Sequence, residues 1–181
     1  IFSDENYRSK VFQFFMVDRE HYRAITEFVL WDFYAFVVAH GNKQKPKVVV
    51  LDEIQNLDLD ENAPAAKYFI EGRKHGIALI AATQNLRQVG GVNDARVSRM
   101  FQADLKLFFK PAETEIKEHA QLLQQVIPNC SVAEWKARLS NLQKGECWAL
   151  GRFRKENSDK LAVQAHRVKI TSLEERGFNG Q

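Results

Sequence analysis

Apolar positions in this chain fall into short unbroken runs and longer helical stripes, and carboxylates, prolines and glycines mark where one gives way to the other. Residues 48–51, Val-Val-Val-Leu, form a β-branched run too short for a buried helix. They predict a strand covered on both faces, as at the centre of a parallel sheet. Residues 10–17 predict a second buried strand, with Asp18 as the N-cap of the following helix. From Arg19 to His40 the apolar positions return at helical spacing, with Tyr22, Ile25, Val29, Phe33 and Phe36 near one face. Beyond Phe28 this helix is apolar nearly all round, which predicts cover on both sides from a further part of the protein or a neighbouring subunit. The basic turn at residues 41–46 ends it and leads into the Val-Val-Val-Leu strand.

After a polar connection at 57–64, residues 65–75 predict a helix closed by Gly76, and residues 77–82 a third strand running into Thr83-Gln84-Asn85. Strand, helix, strand at this spacing is a βαβ unit with parallel strands and a right-handed crossover. Residues 86–91 read as a loop hinged at Gly90-Gly91, and Asn93 or Asp94 as the cap of a short helix through Met100. Residues 104–109 predict a fourth strand, and Pro111 the first position of a helix to Gln125. An amphipathic helix begins at Ser131. Residues 145–153 and 161–170 alternate as a terminal hairpin around a charged turn. The organisation expected is an irregular lead-in at 1–9, one domain over 10–171 and a solvated tail at 172–181.

Composition narrows the classes. A chain of 181 residues with 45% hydrophobic content is enough for one domain with a sizeable core. No apolar run reaches membrane-spanning length, so no membrane partner is expected. A net charge of +3 neither demands nor excludes nucleic acid. Cys130 and Cys147 lack metal-site spacing and suggest no disulfide framework, which points to the cytoplasm. The chain begins at Ile1 without an initiator Met, and a piece of a larger protein is expected.

Asp52 and Glu53 stand at the C-terminal end of the first strand, where open α/β sheets place their ligands. In a nucleotide hydrolase the first acid holds Mg²⁺ through water and the second polarises the water that attacks the γ-phosphate. An acidic start to a loop is the plainer account. Gln84 ends the next strand and reaches the same crevice if the two strands are neighbours, where an amide can orient water or sense phosphate. Arg73 and Lys74 stabilise a helix C-terminus through its dipole, or Arg73 serves as an arginine finger to a neighbouring subunit, with Arg96 and Arg99 as competitors for that role. The five histidines make no metal spacing. The hairpin interleaves Arg152, Arg154, Lys155, Lys160, Arg167 and Lys169 with Trp148 and Phe153, a pattern open to nucleic acid but also to plain solvation. No Gly-x-x-x-x-Gly-Lys-[Ser/Thr] occurs, so nothing here cradles the β- and γ-phosphates.

Taken together, Val-Val-Val-Leu-Asp-Glu-Ile-Gln-Asn at 48–56 and Glu-Gly-Arg-Lys-His-Gly-Ile-Ala-Leu-Ile-Ala-Ala-Thr-Gln-Asn at 71–85 resemble the second half of the HerA/FtsK/VirD4 group of P-loop ATPases. The match spans roughly residues 10–110, and within the group it looks most like the HerA-like proteins of phosphorothioation-dependent DNA restriction systems. The resemblance implies a RecA-like (ASCE) fold, a mainly parallel sheet flanked by helices and closed by a C-terminal hairpin, lacking the Walker A part, which lies upstream in the group. It also implies a ring-forming homo-oligomer, ATP and Mg²⁺ as nucleotide and metal, DNA and other restriction-system proteins as partners, and ATP hydrolysis that translocates or remodels DNA. Carried onto this sequence, the resemblance implies Asp52 as the Mg²⁺-side acid, Glu53 as the catalytic base or water-positioning residue, Gln84 as the sensor and Arg73, ahead of Arg96 and Arg99, as the candidate trans finger. Two alternatives remain open. One is a superfamily 1 or 2 helicase fragment, since Asp52-Glu-Ile-Gln55 fits a DExQ box. The other is a non-catalytic RecA-like assembly domain.

Overall fold

The computed structural model describes residues 9–13, 18–91, 93–154, 159–172 and 174–177, gathered into two compact units that divide between Met100 and Phe101. The first holds α1 (Arg19–His40), β1 (Lys47–Leu51), a 3-10 turn (Ile54–Asn56), α2 (Pro64–His75), β2 (Ile77–Ala81), α3 (Leu86–Val89) and α4 (Ala95–Met100). The second holds β3 (Leu105–Phe109), α5 (Ile116–Val126), α6 (Val132–Ser140), β4 (Glu146–Arg154) and β5 (Leu161–Lys169).

In the first unit β1 and β2 pair in parallel, Lys47 opposite Ile77 and Leu51 opposite Ala81, with α2 as the crossover. Asp18 caps α1, its side chain accepting from the His21 N–H at 3.1 Å. Pro64 opens α2, and Gly76 closes it in the left-handed region (φ 79°), its N–H returning to the helix. The helices α1 and α2 bury Leu30, Val37 and Tyr68. Tyr68 sends its hydroxyl to the Leu30 carbonyl, and burial raises its pKa.

Some expectations fail here. The strand β1 is not covered on both faces: Val48 and Val50 are 62% and 65% exposed. A sheet of two strands has too little surface to bury both faces, and α2 packs beside β2. On α1, Phe28 is 74% exposed, which leaves a face open to the cover expected from a further part of the protein or a neighbouring subunit. The strand expected over 10–17 falls partly outside the described residues, and 9–13 are not strand. The loop expected after Asn85 is the short helix α3, because the Asn85 side chain accepts from the Gln88 N–H at 3.2 Å and caps it.

The second unit is an antiparallel sheet in the order β3-β4-β5, with Leu107 opposite Ala149 and Ala149 opposite His166. The expected mainly parallel sheet is thus replaced by a mixed α/β arrangement, in which the fourth predicted strand pairs with the terminal hairpin. One face of the sheet packs under α5 and α6 around Trp135, Leu123, Leu139 and Leu150. Trp135 and Trp148 meet edge to face at 5.4 Å, and the Arg138 guanidinium lies over both rings. A capping box joins Ser131 and Glu134 at the start of α6. Pro111 is not a first helical residue; a turn closed by the Glu115 N–H on the Ala112 carbonyl intervenes, and α5 begins at Ile116.

Candidate functional site

Parallel pairing brings the ends of β1 and β2 together at Leu51 and Ala81. There Ala82 donates its N–H to the Leu51 carbonyl at 2.9 Å and accepts from the Ile54 N–H at 3.0 Å. Asp52 and Glu53 arch out between those two bonds. To make the arch Glu53 takes left-handed backbone angles, φ 52° and ψ 46°, the one such non-glycine residue among those described. A side-chain-bearing residue pays about 1–2 kcal/mol for that conformation, and such strain collects at functional sites.

The arch turns the Glu53 carboxylate toward the end of β2. Gln84, 31 residues away in sequence, donates its side-chain N–H to Glu53 Oε1. Gln55 donates to Glu53 Oε2, and its own Oε1 accepts the Thr83 hydroxyl at 2.6 Å. Thr83 Oγ1 also accepts from the Asn85 N–H at 3.3 Å, tying the network to the cap of α3. Glu53, Gln55 and Thr83 are half-buried, while Gln84 is exposed. The sequence pointed to Glu53 and Gln84, and the structure joins them. It did not single out Gln55 or Thr83 as site members, although each lies within two residues of a predicted one.

Asp52 is exposed, and its Oδ1 accepts from the Glu53 N–H at 2.9 Å. No group of three or more His, Cys, Asp or Glu side chains able to hold a metal exists among the described residues. A single exposed carboxylate nevertheless suits Mg²⁺, which keeps its waters and takes one or two carboxylates beside substrate phosphates.

The arginines separate clearly. Arg73 lies just before β2 begins, whereas Glu53 lies just past the end of β1, so about 15 Å of strand stands between them. Arg73 is exposed and has no side-chain hydrogen bond or ion pair among the described residues. Arg96 is held by Asp94 through two bonds of 3.0 and 2.8 Å, and Arg99 reaches the Leu59 carbonyl. Both are committed within their own unit. That Arg96 bond is the main cause lowering the Asp94 pKa to about 2. Beside the network a cleft of about 340 Å³ is lined by Arg23, Gln55, Asp58, Asp60 and Arg96. Arg23 is paired there with Glu27 and Asp58 at 2.9 and 2.7 Å.

Elsewhere, the basic hairpin is partly self-neutralised: Arg167 bonds Glu146, and Arg154 lies 3.5 Å from Asp159; Lys155 is outside the described residues. Cys130 and Cys147 are buried free thiols, and burial raises the pKa of each. No helix is long and apolar enough to cross a membrane among the described residues.

No protein-family model matches the sequence, and no curated protein matches it. Among solved structures the chain is similar to a bacterial conjugative coupling protein, TrwBdeltaN70 in its unbound monoclinic form, with a TM-score of 0.39 and 16% identity. The similarity covers 75% of this chain and 27% of that one.

Proposed function

We propose that this chain carries the water-activating half of an ATP-hydrolysing site, and that the complete protein couples the hydrolysis to translocation or remodelling of DNA. The observation that carries the reading is the bond between Glu53 and Gln84 at the C-terminal end of two parallel strands, made possible by the left-handed backbone of Glu53. A carboxylate held in a strained arch beside an exposed amide is suited to draw a proton from water while the amide registers a neighbouring charge. Asp52 would hold Mg²⁺, which neutralises phosphate charge when bound. On this reading β1, α2 and β2 belong to a RecA-like sheet, and the phosphate-binding loop comes from another part of the complete protein. Arg73, remote from Glu53 of its own chain and free of side-chain partners among the described residues, would serve the site of a neighbouring subunit in a homo-oligomeric ring. The finer reading, which rests on the resemblance of residues 48–56 and 71–85 to the C-terminal ATPase region of DptH, is that the ring would work with other proteins of a cytoplasmic DNA restriction system.

The test is ATP turnover by the complete protein. Glu53→Gln should lower kcat about a hundredfold or more while ATP still binds. Arg73→Ala should also be inactive, and mixing the two inactive variants should recover part of the activity if the arginine acts across subunits. Near-normal turnover by Glu53→Gln would sink the assignment.

A further inference from the structure

We propose that Gln55 and Thr83 are positioning residues that hold the Glu53 carboxylate in its working orientation, leaving Gln84 as the partner free to let go. This rests on the hydrolase reading above. The backbone of Glu53 is pinned on both sides by the two bonds to Ala82, so the direction in which its side chain leaves the chain is set. Its flexible side chain is not set by the backbone, and it loses that freedom through bonds to both carboxylate oxygens.

The two amides making those bonds are anchored differently. Gln84 is exposed, and among the described residues its side chain is tied to Glu53 alone. Gln55 is half-buried and held at its far end by Thr83. An amide is almost symmetric in shape, so something must decide whether its oxygen or its NH₂ faces the carboxylate. Thr83 decides it. Its oxygen takes the Asn85 N–H, and its single proton goes to Gln55 Oε1 at 2.6 Å, far shorter than the 3.3 Å to the Asn85 carbonyl. With the oxygen so occupied, the NH₂ of Gln55 points at Glu53. Without the hydroxyl, the amide loses the anchor at its far end, so its NH₂ is no longer held in one position against the carboxylate.

Two measurements test this, one independent of activity. In ¹⁵N NMR of the full chain, the side-chain amide protons of Gln55 should exchange slowly, and Thr83→Val should abolish that protection while Thr83→Ser keeps it. In the complete protein, Thr83→Val and Gln55→Ala should each lower kcat about tenfold with KM for ATP nearly unchanged, and Thr83→Ser should stay within about twofold of wild type. Valine matches threonine in shape, so the fold is retained. Unchanged Gln55 exchange in Thr83→Val overturns the proposal. So does unchanged kcat in both variants when Glu53→Gln is inactive, an outcome that leaves the hydrolase reading standing. If Glu53→Gln turns over normally, the hydrolase reading fails and the positioning role falls with it.

Discussion

Glu53 offers a test of backbone strain that needs no substrate. Replacing it by Ala or by Gly removes the same two carboxylate bonds, to Gln55 and Gln84, so the difference between the variants isolates the backbone. At φ 52° a Cβ costs about 1–2 kcal/mol, which glycine avoids. Glycine gives back about 0.4–1 kcal/mol through the greater entropy of its unfolded chain. The balance favours Gly by roughly 0.5–1 kcal/mol, the reverse of the order at an ordinary loop position. With a urea dependence of about 2 kcal/mol per molar, Glu53→Gly should unfold at a midpoint about 0.3–0.5 M above Glu53→Ala. Equal midpoints, or a more stable alanine variant, would refute the left-handed arch and with it the orientation argued for the carboxylate.

Two further predictions concern the same unit. Asp94 has its carboxyl pKa lowered from 3.8 to about 2, chiefly by the Arg96 side chain. A depressed pKa means stability that is complete above about pH 4 and lost as pH falls toward 2. Because the pair is partly exposed, Asp94→Asn should cost only about 0.5–1 kcal/mol at pH 7, and the gap from wild type should close in acid denaturation curves below pH 4. A gap that persists at pH 2 argues against the pairing. Gly76→Ala places a Cβ at φ 79° and 2.8 Å from the Asn42 carbonyl, so the turn after α1 has to shift. A loss of about 2 kcal/mol is expected, read as a fall in Tm of about 4–8 °C.

Much of the fold was legible in the sequence because its signals are local. Asp18, Gly76 and Ser131 mark helix ends through bonds spanning three or four residues, and the structure places helix boundaries there. The strands at 47–51 and 77–81 and their parallel pairing followed from a β-branched run, a helix and a second run. What failed was what depends on distant partners. Burial of Val48 and Val50 depends on what lies against the sheet, and a run of valines does not record how many strands or helices will do so. The pairing of β3 with β4 joins Leu105 to Gly151, and nothing near Leu105 announces that partner.

The site divides along the same line. By itself the sequence determined which chemical groups stand at the strand ends: Asp52, Glu53, Thr83 and Gln84, each directly after an apolar run. Only the tertiary structure decided their relations. Parallel register set Glu53 beside Gln84 across 31 residues, and two bonds to Ala82 forced the left-handed arch. The same register put Arg73 a strand length away, while Asp94 and the Leu59 carbonyl claimed Arg96 and Arg99. The identity of a side chain is written where it stands in the chain. Its orientation and its partners are set by hydrogen bonds from residues that only folding brings near.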